Sequence, residues 1–124
     1  MQLTRTNCVE EAEKVVQKLD KNRYGFILTT SKIRNILSMV SSIYNDVSHY
    51  SKETLNDEFV ERIQYLKMRF AYEAGRETSV RDLINKAEIM QQIDAIGRSK
   101  EQCICFCRFM EAIVAYHKFY GGND

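Results

Sequence analysis

The chain contains no proline, and four of its five glycines, Gly75, Gly97, Gly121 and Gly122, fall where an apolar helical repeat runs out. Glycine accepts the left-handed conformation that closes a helix, so these positions read as stop signals for successive helices. The punctuation predicts an all-α fold: a single compact bundle of about five helices, with residues 1–124 forming one domain. A composition of 44% hydrophobic and 28% charged residues is ordinary for such a domain. No stretch approaches the roughly 18 consecutive apolar residues of a membrane span, and the N-terminus lacks the apolar region of a signal peptide. A cytoplasmic address without membrane contact is therefore expected.

Five amphipathic segments follow from the spacing. Asn7 with Glu10 forms a capping-box start, after which Val9, Ala12, Val16 and Leu19 recur at helical intervals up to Asn22. Tyr24 to Thr29 read as a short apolar loop around Gly25. Thr30 or Ser31 caps a second helix whose apolar face is Ile33, Ile36, Leu37, Val40, Ile43, Tyr44 and Val47. Its other face, with Arg34, Ser38, Ser41, Ser42 and Asn45, is polar with a single charge. Ser48 to Asn56 is the most polar stretch, where disorder or insertion is most expected. A third helix runs from about Thr54 to Ala74 with Gly75 as its stop, and a fourth runs from Thr78 or Ser79 to Gly97. Ser99 with Gln102 opens a fifth, which ends at Tyr120 and is apolar nearly all round, as a central helix would be.

Little in the chain points to chemistry. Cys103, Cys105, Cys107 and His117 superficially resemble metal ligands, but on a helix Cys105 points about 200° away from Cys103. These thiols, with Cys8, are expected reduced and packed in the core. His117 lies on the inner side of the fifth helix with no nucleophile or second base near it in sequence. There is no phosphate-cradling glycine loop. Neither catalysis, nor a metal, nor a cofactor is expected.

With a net charge of +1, any nucleic-acid argument must rest on where the charges sit. On the third helix Arg62, Arg69 and Arg76 fall within a sector about 40° wide, and Tyr65 and Tyr72 lie beside them. Such a stripe can grip phosphates and stack on bases, or it can border the core while its tyrosines pack against a neighbour. Thr29, Thr30, Ser31, Lys32 and Arg34 form a second candidate, because a helix start offers free N–H donors; an ordinary N-cap is the other reading. Arg108 is a third candidate, although Glu111 could simply pair with it.

Three segments carry a resemblance: TTSKIRNIL (29–37), YLKMRFAYEAGRETSV (65–80) and RFMEAIVAYHKFYGGND (108–124). Together they resemble the small subunit of the type III-A CRISPR interference complex, the Csm complex, over most of the chain from about residue 24. Ala-Gly-Arg-Glu at 74–77 and Phe-Tyr-Gly-Gly at 119–122 are the most specific parts. The resemblance implies a small helical protein without catalytic activity, several copies of which stack along backbone subunits and line the groove where guide RNA pairs with target RNA. It further implies as partners the backbone subunit, the large subunit and further copies of the chain, with nucleic acid bound through its backbone and cleavage left to other subunits. Arg34, Arg76, Arg108 and Lys118 lie inside the matching segments; with Lys32, Arg62 and Arg69 they complete the expected RNA-binding set. At Asn123 the family pattern carries a basic residue instead. The alternative reading is a homodimeric helical adaptor that recognises only protein.

Overall fold

The computed structural model describes residues 1–124. Six α-helices follow in the order α1 (Cys8–Lys18), α2 (Arg34–Ser48), α3 (Asp57–Arg76), α4 (Thr78–Lys86), α5 (Ile89–Ile96) and α6 (Lys100–Phe119). Between α1 and α2 lie a two-stranded hairpin, with β1 at Lys21–Asn22 and β2 at Gly25–Phe26, and a 3-10 turn at Thr30–Ile33. The core is one cluster of 33 buried hydrophobic residues. α6 is the central helix, as its all-round apolar sequence requires: α1, α2 and α5 all pack on it, and ten of its twenty residues are buried. Its three cysteines are among them, and Cys8 is buried as well.

Several boundaries differ from the expectation. α1 ends at Lys18 rather than Asn22, because residues 21–26 pair as a hairpin in the register Lys21 to Phe26. Asn7 does not cap α1 with its side chain: it turns backward, accepting from the Thr4 amide at 2.7 Å and donating to the Gln2 carbonyl at 2.9 Å. Val9 accordingly lies on the exposed side of α1. Gly75 does not stop α3, which runs on through Arg76 and ends where Glu77 turns extended.

The expected fourth helix is two helices. Glu88 adopts a left-handed φ of 53°, and the break at Ala87–Glu88 lets Ala87 and Ile89 both bury completely. On one straight helix those two side chains would point about 200° apart, and a helix covered on one side only, unlike the central α6, could bury just one of them.

The polar stretch 48–56 is tied down. Leu55 donates to the Arg98 carbonyl at 2.8 Å, the Arg98 guanidinium returns a bond to the Leu55 carbonyl at 3.1 Å, and Lys100 N–H donates to Glu53 at 3.0 Å. The expectation of disorder fails because this stretch borders the junction of α5 and α6, whose backbone groups it satisfies. α3 therefore starts at Asp57, with Asn56 capping it through the Phe59 N–H at 3.0 Å. Ser99 caps α6 as expected, but Gln102 donates to the Leu3 carbonyl instead of closing a capping box.

α6 ends in a Schellman motif: Gly121 (φ 97°) donates to Lys118 and Gly122 to His117 at 2.7 Å. Gly122 lies directly against the His117 ring, where an added Cβ would stand 2.2 Å from Cε1. The chain beyond it crosses to the start of the 3-10 turn, and Thr30 and Ser31 donate their N–H groups to the carbonyls of Asn123 and Asp124 at 3.3 and 2.7 Å.

Candidate nucleic-acid interface

α2 and α3 pack antiparallel, so the start of α2 faces the end of α3. That juxtaposition gathers Lys32, Arg34 and Arg69 around one small cleft of about 150 Å³, which Glu73 also lines. Glu73 is buried one helical turn from each of two arginines, 3.6 Å from Arg69 and 3.6 Å from Arg76. At that distance these are ion pairs without hydrogen bonds, so neither guanidinium has its N–H donors committed to a protein acceptor. Arg34 is exposed and pairs with nothing. Three guanidiniums thus lie on one flank with open donors, two of them held beside Glu73.

The tyrosine between them completes the arrangement. The Tyr72 ring is 54% exposed, with the Arg69 guanidinium 5.3 Å and the Arg76 guanidinium 5.5 Å from its centroid. Guanidiniums over a ring face restrain each other's rotamers and keep the charges at the surface. Lys32 is less available, since its ammonium lies 3.2 Å from the Ser79 hydroxyl and 3.5 Å from Glu77. Lys118 sits at the margin of this flank: it pairs at 3.7 Å with Asp124, whose carboxylate also meets the Thr30 hydroxyl at 3.5 Å.

The other expected residues lie apart. Arg62 donates to Asp46 at 2.9 Å and to the Ser42 hydroxyl at 3.1 Å, which spends its fork on α2. Arg108 borders the groove between α2 and α6 and reaches the Tyr44 hydroxyl at 3.4 Å, with no pairing to Glu111. At the helix start the Thr30 and Ser31 N–H donors are taken by the carbonyls of Asn123 and Asp124, which leaves Lys32 and Arg34 as the part of that candidate on the flank described above. Glu73 escaped notice in the sequence, although its spacing of i+4 from Arg69 and i−3 from Arg76 was the available signal.

The four cysteines and His117 are buried. The hydrogen bond to Cys103, and then burial, push the Cys107 thiol well above its ordinary range; burial also raises the Cys105 thiol. Both stay protonated at neutral pH, the form that is neither nucleophile nor metal ligand. No three His, Cys, Asp or Glu side chains converge as metal ligands would. His117 is buried with Nε2 2.8 Å from the Leu28 carbonyl and Nδ1 without a partner. No helix is long and apolar enough to cross a membrane.

The fold and this flank define the class: a small all-α bundle that presents a cluster of surface guanidiniums beside exposed tyrosine. Comparison with known proteins specifies it further. The family model for Csm2 Type III-A matches residues 2–123. A CRISPR system Cms protein Csm2 of Streptococcus thermophilus is 46% identical over 123 residues, 98% of each chain. One from Mycobacterium tuberculosis (strain ATCC 25618 / H37Rv) is 34% identical over 124 residues, covering 100% of this chain and 99% of its own. A third, from Enterococcus italicus, is 36% identical over 122 residues, covering 94% of this chain and 86% of its own. The chain belongs to the Csm2 type III-A family of CRISPR proteins, in agreement with the resemblance carried by its three segments.

Proposed function

We propose that the chain is a non-catalytic small subunit of a cytoplasmic type III-A Csm effector, a single domain stacked in several copies along the backbone subunits. It contacts guide and target RNA through phosphates rather than bases. The observation that carries this reading is the set of guanidiniums at Arg34, Arg69 and Arg76, whose donors no protein group accepts. Guanidinium forks match phosphate oxygens in geometry and charge, and phosphate contacts fix position without reading sequence. Lys32 and Lys118 flank the site as weaker contributors. In this reading Arg62 and Arg108 serve the bundle, because their donors are used inside it. In the same reading the four cysteines and His117 serve the interior, since all five side chains are buried and His117 is held on the Leu28 carbonyl.

The test is target-RNA affinity of the reconstituted complex carrying Arg34→Ala with Arg69→Ala. Affinity should fall at least about tenfold, the cost of one lost charge-assisted hydrogen bond, and by the same factor for unrelated target sequences. Unchanged affinity in a complex of normal stoichiometry overturns the RNA contact and leaves the protein-only adaptor.

A further inference from the structure

The other end of the same helix pair, where α3 starts, carries a second, larger concavity with different chemistry. Between α2 and α3 lies an open groove of about 670 Å³, bordered by Ser38 and Ser42 on one side and by Glu58, Glu61 and Tyr65 on the other, with Met39 and Ile43 beneath. Tyr65 is 52% exposed and Met39 is half-buried against the core, so the groove has an apolar floor and one aromatic wall. The serines are small and uncharged, which lets a partner backbone approach α2 closely.

Charge separates this groove from the guanidinium cluster. Glu58 and Glu61 are exposed, and neither forms an ion pair or hydrogen bond within the fold. Arg62 borders the same groove but is neutralised by Asp46. The helix dipole accounts for Glu58 in the first turn of α3, but Glu61 stands beyond that turn and gains little from it. A phosphodiester laid here would meet two unpaired carboxylates and no free cation. A cationic side chain would find both carboxylates open, with apolar surface beside them for its stem or its neighbour.

We propose that this groove docks a protein segment of another subunit, one that presents a lysine or arginine next to an aliphatic or aromatic side chain. The inference rests on the reading that the chain works inside a multisubunit assembly, and it assigns RNA and protein to opposite ends of the α2–α3 pair. Exposed apolar surface with a polar rim and complementary charge is the ordinary composition of such an interface.

Two measurements on the reconstituted, RNA-loaded complex decide it. With Tyr65 replaced by the photo-crosslinking p-benzoylphenylalanine, illumination should join the chain to a protein subunit, at a peptide containing a basic residue beside an apolar one. A crosslink to labelled guide or target RNA overturns the proposal, and so does the absence of any crosslink in a complex that contains the chain at normal stoichiometry. The second measurement is the double variant Glu58→Gln, Glu61→Lys. It should enter the complex at least about tenfold less well at low salt, as expected when like charges are placed across an interface, while circular dichroism shows the helical fold retained. Normal entry of that variant, with or without tighter RNA binding, contradicts the docking site alone. Failure of the unaltered chain to enter any complex removes the assembly reading, and with it this inference.

Discussion

The two halves of α3 share one buried edge and differ in what they offer outside. Residues 57–66 bury Phe59, Ile63 and Leu66, and residues 67–76 bury Phe70 and Glu73. The first half carries Asp57, Glu58 and Glu61 at the surface, together with an arginine whose donors are spent on Asp46 and Ser42. The second carries Arg69 and Arg76, both beside one buried carboxylate, with their donors open. Arginines seven residues apart on one stripe are therefore not equivalent. What separates them is α2, which brings its one acid, Asp46, to the first half and its one arginine, Arg34, to the second. The helix dipole favours acids at the start and bases at the end of α3, but it acts only within the terminal turns and reaches neither Glu61 nor Arg69.

If the halves differ only outside, the interior should respond alike in both. Phe70→Ala and Phe59→Ala should each destabilise the protein by about 3 to 5 kcal/mol in denaturant unfolding, Phe70 toward the upper end because it is fully buried. A cost confined to one half would mean that the polarity extends into the core. Smaller effects sharpen the contrast at the surface. Glu73→Gln removes the carboxylate that competes with phosphate for two guanidiniums, so RNA affinity should rise by about two- to fivefold while stability falls by about 0.5 to 1 kcal/mol, the value of a partly exposed ion pair. Arg62→Ala should cost about 0.5 kcal/mol in stability and leave RNA affinity where it was. An RNA defect from Arg62→Ala, with Glu73→Gln silent, would invert the assignment.

The sequence made the helical architecture legible through period and caps: Ser99, Gly97 and Gly121 do what their residue types suggest. It misled where a local signal met a tertiary demand. Gly75 looks like a stop, yet no steric or hydrogen-bonding demand ends α3 there, and the helix continues to Arg76. The apolar repeat of residues 80–93 fits one helix, but burying both Ala87 and Ile89 requires the left-handed turn at Glu88, which no periodicity signals. The arginine stripe was visible and its division was not, because the division depends on the antiparallel seating of α2. The closure of the 30–31 donors by Asn123 and Asp124 is likewise a contact across most of the chain's length, beyond the reach of spacing rules.

The most direct test of the account is the salt dependence of target-RNA binding by the assembled complex, measured for two double variants. Each phosphate contact releases counterions and contributes about 0.7 to the slope of log K against log salt for a single strand. Arg34→Ala with Arg76→Ala alters the second half, and neither residue donates a hydrogen bond within the fold; the slope should flatten by roughly 1 to 2 units with the melting temperature nearly unchanged. Arg62→Ala with Asp46→Ala removes the paired charges of the first half and should leave the slope as it was. An equal flattening from both variants, or flattening from the second alone, would contradict the claim that open donors rather than stripe position mark the RNA-facing end of α3.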